Sequence, residues 1–292
     1  MKKTILTIFF VFPLVLSLSA QEIVWYYGSD FGIRESKDDA RYRRQVTNRS
    51  GNRQLVETFE KVQGEWIRRR KEKIRTINDT LQVIKRKGEK LFPDRLERTF
   101  SIQENGNYDF WEYEDEQLIL EGNATQLVPL HLQDTVRSYY MTGLPESVAI
   151  YDNNSLVSNE NWLKNGTKYI DDIFYFVDEE PQYNLGQASF RGHMMNGLKE
   201  SGIDLAQISD RVVIGFTVME DGSLAGFHTL QGVFKPLNEK LIELIQTMPG
   251  GWVPAKVNGK SVRYYMTLPF NFIDRTRNFD SLEMSTGFVV WD

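Results

Sequence analysis

One stretch near the C-terminal end of the chain, residues 211–273, constrains the fold more than any other part of the sequence. Apolar residues occupy every second position at its start, and their neighbours can face the opposite way. These residues are Val212, Ile214, Phe216 and Val218. Such alternation predicts a strand. Asp221-Gly222 suits the positive φ of a tight hairpin turn, so residues 224–230 are predicted to form the return strand.

A helix and a last strand are predicted in the remainder of this stretch. Pro236 suits the first helical turn, because proline lacks an N–H group that would be unpaired there. Apolar residues then recur at helical spacing, at Leu237, Leu241, Leu244 and Ile245. Residues 249–251 (PGG) end the helix, and Asn258-Gly259 forms a second turn before a final strand at 262–272. The predicted order is strand, strand, helix, strand.

Several short segments of this stretch occur together in a characteristic order and spacing. They are Phe216-Thr217-Val218, Asp221-Gly222-Ser223, Met248-Pro249, Trp252-Val253-Pro254-Ala255, Asn258-Gly259-Lys260 and Leu268-Pro269-Phe270-Asn271-Phe272. The series resembles the TonB C-terminal domain family of energy-transducer proteins. The resemblance extends upstream to residues 177–183 and a helix at 187–198, and so covers about a third of the chain. It implies a small antiparallel sheet with two helices.

The first half of the chain, residues 40–172, alternates short apolar and aromatic segments with polar turns. The turns fall at residues 78–80, 104–106, 142–143, 152–154 and 164–166. Turns at this spacing predict an antiparallel meander. Residues 139–166 resemble the degenerate repeats of the MORN and YwqK-antitoxin type, in which an aromatic strand, a glycine turn and a return strand form one unit. The expected fold class is therefore α+β, with a meander of repeat hairpins before a small TonB-like domain.

The expected domain organisation begins with a signal peptide at residues 1–20. Lys2-Lys3 precedes the apolar residues 5–18, and Ser19-Ala20 supplies small residues at a cleavage point. An uncleaved membrane anchor is the alternative. A β repeat domain at 21–176, a TonB C-terminal-like domain at 177–273 and a tail at 274–292 follow. This organisation predicts a periplasmic or outer-membrane-associated protein, or an inner-membrane anchored one if the signal is uncleaved.

Charge is distributed unevenly along the chain, although the net charge of −5 is small. Residues 68–71 and 85–87 form a basic region, whereas acidic residues dominate between 112 and 180. One interpretation is a basic face for an anionic partner such as lipid head groups, polysaccharide or peptidoglycan. The other is that these are solvated strand faces whose basic and acidic parts attract each other. A nucleic-acid partner is not expected for an exported chain.

The sequence gives no pattern that predicts catalysis, a cofactor or a metal. It has no cysteine, which excludes disulfides, thiolate metal sites and a cysteine nucleophile. The three histidines, His131, His193 and His228, lie in different segments without a second ligand at metal-binding spacing. Phosphate-binding and nucleophile motifs are absent. We therefore expect a protein that is not an enzyme, with no catalytic residue, no metal site and no cofactor.

The resemblance to the TonB family implies one candidate binding site, on the last strand of the domain. In that family this strand receives a short peptide from an outer-membrane receptor by β-strand addition. The matching strand here is residues 261–268, and register decides which alternate side chains face the partner. The candidate partner-binding residues are Val262, Arg263, Tyr264, Tyr265, Met266 and Thr267. The alternative is that this strand is paired or covered within the chain itself.

Three functions follow from these observations. The first is a non-enzymatic periplasmic adaptor that recognises a protein or peptide segment. A TonB-dependent outer-membrane receptor is one candidate partner, and a homodimer through the final strand is another arrangement to consider. The second is an energy transducer for outer-membrane transport, anchored by an uncleaved N-terminal helix. The third is an envelope hydrolase or a carbohydrate-binding repeat protein. A surface cluster of Trp66, Trp111 and Trp162 would favour sugar binding, and burial of these side chains would count against it.

Overall fold

The computed structural model describes residues 22–87, 94–205, 208 and 210–272. The predicted signal peptide at 1–20 and the tail at 274–292 lie outside the described residues. None of the helices that these residues form is long and apolar enough to cross a bilayer.

The first part of the chain forms one antiparallel sheet of twelve strands. In chain order the strands are β1 (Glu22–Tyr27), β2 (Ile33–Arg34), β3 (Tyr42–Arg49), β4 (Arg53–Val62), β5 (Glu65–Asn78), β6 (Leu81–Lys87), β7 (Arg95–Ile102), β8 (Tyr108–Glu114), β9 (Gln117–Leu127), β10 (Leu130–Tyr139), β11 (Pro145–Asp152) and β12 (Ser155–Asn161). From β3 to β12 each strand pairs with the next one along the chain, and β1 lies between β2 and β3. Strands β3 to β12 are therefore a continuous meander, and β1 and β2 extend its β3 edge.

The sheet is curved so that one face is concave. Strands β3 and β10 are seven positions apart in the strand order, which would be about 34 Å in a flat sheet. Nevertheless Arg44 on β3 donates a hydrogen bond from Nη1 to the carbonyl oxygen of Leu130 on β10, at 3.3 Å. The hydroxyl of Tyr27 is likewise 2.7 Å from Nε2 of His131. Contacts at these distances require the two ends of the meander to bend towards each other.

The concave face holds the apolar interior of this sheet. Two clusters of buried side chains line it: Val46, Val56, Ile74, Ile84 and Leu96 in one, and Phe110, Ala124, Leu127 and Val136 in the other. Residues directly opposite each other on neighbouring strands share a face, and residues two apart on one strand do so as well. Away from the β-bulges, such as the one at Thr58 and Phe59 opposite Arg69, the register of each strand pair therefore assigns a side chain to the concave or to the convex face.

The second part of the chain forms a five-stranded sheet and two helices. Its elements are β13 (Ile173–Phe174), β14 (Gln182–Tyr183), α1 (Gly186–Glu200), β15 (Arg211–Val218), β16 (Leu224–Gln231), α2 (Lys235–Gln246), β17 (Trp252–Val253), β18 (Ala255–Val257) and β19 (Lys260–Asn271). The strand order is β13-β19-β15-β16, with β18 also paired to β19, while β14 and β17 form a separate pair. Leu237, Leu241 and Ile245 of α2 and Phe190 and Met194 of α1 are buried in one core with the apolar residues of β15 and β19.

The expected α+β class is wrong, because the protein is mainly β. Strands contain 57% of the described residues and helices only 12%. The large feature is the twelve-stranded sheet, and not an array of hairpins in front of a small TonB-like domain with two helices. The physical reason is that the strands from β3 to β12 all pair in succession into one curved sheet with a shared interior, which holds most of the strand residues. Turn spacing predicts that consecutive strands pair, but it does not reveal the curvature of the sheet or its common interior.

Residues 162–172 connect β12 of the first sheet to β13 of the second, and hydrogen bonds tie this connection to both sheets. The amide of Asn159 in β12 donates from Nδ2 to the carbonyl oxygen of Ile173, at 2.7 Å, and accepts from the Ile173 N–H group, at 3.0 Å. The hydroxyl of Tyr169 donates to the carbonyl oxygen of Gly226 in β16, at 2.8 Å. These bonds fix the connection between β12 and the second sheet.

Candidate functional site

The strand predicted to receive a peptide, β19, pairs with other strands along its whole length, but among the described residues it has a partner on each side only at Tyr264. It pairs with β15 from Tyr264 to Asn271 and, on its other side, with β13 at Arg263 and Tyr264. Beyond Tyr264 no further strand within the described part of the chain pairs with that second side. The side chains of the six candidate residues lie in different surroundings.

Four of the six candidate residues are buried, namely Tyr264, Tyr265, Met266 and Thr267. Val262 is half-buried and packs against the core that contains both helices, and Val262 also pairs with Ala255 of β18. Arg263 is half-buried, with Nη1 donating to the carbonyl oxygen of Asp171 at 2.9 Å and Nε 2.9 Å from a carboxylate oxygen of Glu220. The side chains that were expected to meet a partner therefore mostly make contacts within the chain.

Tyr265 belongs to a buried layer between the second sheet and the connecting segment. Nδ1 of His228 donates to the carbonyl oxygen of Gly226 at 2.9 Å, which leaves Nε2 to accept from the Tyr265 hydroxyl at 3.1 Å. Burial raises the pKa of Tyr265 and lowers the pKa of His228, although the bond to Gly226 opposes the change at His228. Gly215 leaves room for this pair, since a Cβ atom there would lie 2.1 Å from the Tyr265 hydroxyl. The layer is packed and internally hydrogen-bonded.

The other two histidines also form internal contacts. His131 is bonded to Tyr27, and burial, followed by the charge of Arg44, lowers the pKa of His131 to about 4. A ring nitrogen of His193 lies 3.0 Å from the carbonyl oxygen of Leu244. Among the residues that the structure describes, no group of three histidine, aspartate or glutamate side chains is placed to hold a metal ion.

The convex face of the large sheet presents the most distinctive arrangement of charge. We define the cationic face as Arg49, Arg53, Lys73, Arg75 and Lys85, which lie on β3, β4, β5 and β6. All five residues are exposed. The described residues include no ion-pair partner for any of them. Their common face follows from register, because they are joined by direct cross-strand pairing and by two-residue steps along the strands.

Register places these cations directly opposite one another. The like-charged pairs are Arg49 with Arg53, Arg53 with Arg75, Lys73 with Lys85, and Lys85 with Arg95 of β7. Opposite residues in an antiparallel pair have Cβ atoms about 5 Å apart, and like charges at such positions are destabilising. The arrangement is the reverse of what cross-strand ion pairing would select. It gives the cationic face a concentrated positive charge, because no described acidic side chain lies directly opposite any of its five members.

The basic run that is visible in the sequence, residues 68–71, is different in this respect. Arg68 and Lys71 contact Glu57 at 2.8 and 3.8 Å, and Arg69 contacts Glu60 at 2.9 Å. Arg70 points to the concave face instead, since it lies opposite Thr58 in the interior. This run is therefore largely neutralised or turned inwards, and the second interpretation of the charge pattern holds for it.

Sequence reasoning missed Arg49, Arg53, Lys73 and Arg75 as members of a charged surface. A signal was present, because Lys71, Lys73 and Arg75 occupy alternate positions of one strand and so must share a face. The partner strand that lies opposite them is set by the lengths of the turns on either side. That information is not contained in the alternation itself.

The three tryptophans proposed as a sugar-binding cluster are each half-buried. Trp66 packs against Tyr26 at 6.5 Å between ring centroids, and Lys168 lies 4.5 Å from the ring of Trp162. None of the ring contacts within the described part of the chain joins two of the three tryptophans. The structure therefore does not bring Trp66, Trp111 and Trp162 together as one aromatic platform.

Searches against protein-family models, curated proteins and solved structures found no match to this chain. The candidate surface is accordingly identified by its own geometry and charge.

Proposed function

We propose that this protein is a non-enzymatic binding protein of the cell envelope that holds an anionic polymer on its cationic face. One observation supports the proposal above all others, namely the direct opposition of exposed like charges across β3, β4, β5, β6 and β7. The predicted signal peptide indicates an envelope location.

The opposition of like charges supports binding because it reduces the stability of the free protein. Each such pair costs a few tenths of a kcal/mol up to about 1 kcal/mol, and an acidic residue at Lys73 or Arg75 would remove that cost. A bound polyanion removes this cost of repulsion as well, since the negative charges of the polymer lie between the cations. At binding sites, proteins commonly keep residues that make the fold less stable than a simple substitution would.

The spacing of the cations suits a chain with closely repeated charges. Neighbouring strands are about 4.8 Å apart and alternate residues on one strand about 6.6 Å apart. Polymers that carry a phosphate or carboxylate group at intervals of this size therefore match the face. Guanidinium groups of Arg49, Arg53 and Arg75 would bind such groups through paired hydrogen bonds, and the two lysines would act as point charges.

Strand addition at β19, which the resemblance to the TonB family implies, remains a prediction. The buried side chains from Tyr264 to Thr267 leave that strand without the exposed alternate positions that such recognition uses. The cationic face has no comparable obstacle, because every member of it is exposed.

The proposal is tested by measuring the binding of fluorescently labelled inorganic polyphosphate to the full chain over a range of salt concentrations. The variant Lys73→Gln with Lys85→Gln is compared with a control of equal charge change, Lys199→Gln with Lys235→Gln, on the two helices. At about 1 kcal/mol for each cation near an anionic surface, the first variant should bind roughly 30-fold more weakly. Its dependence on salt should also be shallower, since fewer counterions are released on binding.

The control variant should bind as tightly as the unmodified protein. Equal weakening in both variants would mean that net charge alone drives binding. Absence of binding to polyphosphate at low salt would refute the proposal.

A further inference from the structure

The concave face of the large sheet carries a second cluster of positive charge, separate from the cationic face. Arg44, Thr58 and Arg70 lie directly opposite one another on β3, β4 and β5. Glu72 and Arg86 lie opposite each other in the neighbouring row, on β5 and β6. We call these five residues the arginine row. The arginine row therefore places three guanidinium groups around one carboxylate.

Glu72 is the only acidic member of the row, and it is firmly ionised. Nε of Arg86 donates to Oε1 of Glu72 at 2.9 Å, and Nε of Arg70 lies 4.0 Å from the same oxygen. Burial alone would raise the pKa of Glu72, but Arg70, Arg86 and Arg44 outweigh it and lower the pKa to about 2. The row thus has one negative charge against three positive charges.

A further carboxylate on this face, that of Glu60, does not correct the imbalance. Glu60 follows Thr58 by two residues on β4, and both of its oxygens are already engaged. Oε1 accepts from Nη2 of Arg41 at 3.2 Å and Oε2 accepts from Nε of Arg69 at 2.9 Å. These two arginines lie outside the row, so the described side chains leave the row with an excess of positive charge.

Two polar atoms of the row are buried without a hydrogen-bond partner among the described residues. They are the hydroxyl oxygen of Thr58 and Nε of Arg44. Thr58 is 5% exposed, so water does not reach its hydroxyl freely. Leaving such a group unpaired is unfavourable, and in native proteins an unpaired buried group commonly marks the position of a water molecule or an ion. Both atoms carry donor hydrogens, as an anion requires.

The positions of the cationic groups are also restrained before any ligand arrives. The guanidinium group of Arg44 lies 5.2 Å from the ring centroid of Tyr27 and 5.3 Å from that of Phe31, and Nη1 is bonded to the carbonyl oxygen of Leu130. The side chains of Arg70 and Arg86 remain 17% and 16% exposed, which gives access from solvent. A preorganised and accessible group of donors binds a small ligand at low entropic cost.

We infer that the arginine row is a binding site for a small oxyanion of the phosphate class, held between Arg44, Thr58 and Arg70 on the concave face. Neighbouring Cβ atoms in this row are about 5 Å apart, a distance that one tetrahedral oxyanion bridges. Guanidinium groups match the oxygens of phosphate in pairs, and the Thr58 hydroxyl would donate to a third oxygen. This site is independent of the polyanion on the convex face.

The test measures binding of inorganic phosphate to the full chain by isothermal titration calorimetry, with sodium chloride used to keep the ionic strength constant. Thr58→Val removes one donor while keeping the shape of the side chain, and Arg70→Gln removes a charge. Lys73→Gln with Lys85→Gln is the control, because it changes the convex face only. Thr58→Val and Arg70→Gln should each weaken phosphate binding by about tenfold or more, as expected for hydrogen bonds to a charged group.

Two further measurements separate a binding role from a structural one. Without phosphate, Thr58→Val should melt at the same or a higher temperature than the unmodified protein, because the buried hydroxyl is no longer unpaired. A clearly lower melting temperature together with unchanged phosphate affinity would overturn the inference. So would failure of the unmodified protein to bind phosphate, or equal weakening by the convex-face control.

The source of the oxyanion is distinguished by comparing three probes. These are inorganic phosphate, glycerol 3-phosphate and vesicles of phosphatidylglycerol. Tighter binding of either of the last two assigns the site to a head group, and tighter binding of inorganic phosphate assigns it to the free ion. Each of these outcomes supports the inference if Thr58→Val weakens the binding, and each contradicts it if Thr58→Val has no effect.

Discussion

Replacing Lys85 by glutamine is expected to make the protein more stable, which is unusual for a substitution in the middle of a sheet. Lys85 is exposed on β6, opposite Lys73 on one side and Arg95 on the other. The substitution keeps a long polar side chain and removes one charge from two repulsive pairs. Lys85→Glu goes further, because it turns both repulsions into attractions.

The size of the effect follows from the distances. With Cβ atoms about 5 Å apart, the charged ends of these long side chains can separate to about 7 Å in water. Two unit charges at that distance repel each other by about 0.6 kcal/mol. Arg95 is partly neutralised by Glu97, with which it forms an ion pair, so the second repulsion counts for less. We therefore expect Lys85→Gln to raise the free energy of unfolding by about 0.5 to 1 kcal/mol.

The assay is equilibrium unfolding in urea, because urea carries no charge, at about 10 mM and about 1 M sodium chloride. The Debye length falls from about 30 Å to about 3 Å between these conditions, so the gain from Lys85→Gln should be nearly lost at the higher concentration. Lys199→Gln is the matched control. Lys199 lies in the last turn of α1, where a positive charge stabilises the helix, so the same substitution there should be slightly destabilising.

A loss of stability for Lys85→Gln at low salt would refute the reasoning, and so would a gain that is equal at both salt concentrations. In the first case the cations would not repel each other in the folded protein. In the second case the effect would come from packing or strand propensity. The same variant should bind polyphosphate more weakly, so stability and binding are expected to change in opposite directions.

Three further predictions concern buried polar groups. Glu112→Ala should destabilise the protein by about 3–5 kcal/mol in thermal or urea unfolding, because it leaves the buried guanidinium of Arg98 without its carboxylate; a loss below 1 kcal/mol would contradict this. Burial lowers the pKa of His131 from 6.5 to about 4, so the stability that comes from its neutral form is complete above pH 6.5 and should be lost as the pH falls towards 4. The expected loss in the free energy of unfolding is on the order of 3 kcal/mol. Unfolding measured against pH should show this decline in the unmodified protein and a smaller decline in His131→Gln. Asn159→Leu should destabilise the protein by about 2–4 kcal/mol in unfolding measurements, since it removes the amide that binds both the N–H and the carbonyl of Ile173. Asn159→Gln should lose less stability only if its amide restores these bonds. An unchanged free energy of unfolding in the leucine variant would contradict a stabilising role of the two bonds.

Local features of the second sheet were predictable from the sequence. The helix that begins at Lys235 buries the apolar residues expected from their spacing, because a helical stripe of leucines next to a suitable first-turn proline leaves few alternatives. The turn at Asp221-Gly222 is also present, and Gly222 has a φ of +82°. These features depend on residues within a few positions of one another.

The continuity and curvature of the large sheet were not predictable in the same way. Alternation shows that two residues share a face, but it does not show which strand lies beside them. The pairing of β6 with β7, for example, joins strands on either side of residues 88–94, where the turn pattern of the sequence placed no turn. Arg98 and Glu112 illustrate the same limit, since both are polar and would be placed on the solvent side by hydropathy, whereas the side chain of each is only 4% exposed.

The way in which the sheet buries Arg98 bears on the arginine row. Nε of Arg98 donates to Glu112, and Nη1 donates to both Gln82 and the carbonyl oxygen of Leu127. Near the middle of the same concave face, a buried arginine is therefore fully supplied with a carboxylate, an amide and a backbone carbonyl. The Thr58 hydroxyl and Arg44 Nε, by contrast, have no hydrogen-bond partner among the described residues. They lie where the described side chains carry more positive than negative charge, and an oxyanion would complete their hydrogen bonds and reduce that excess at the same time.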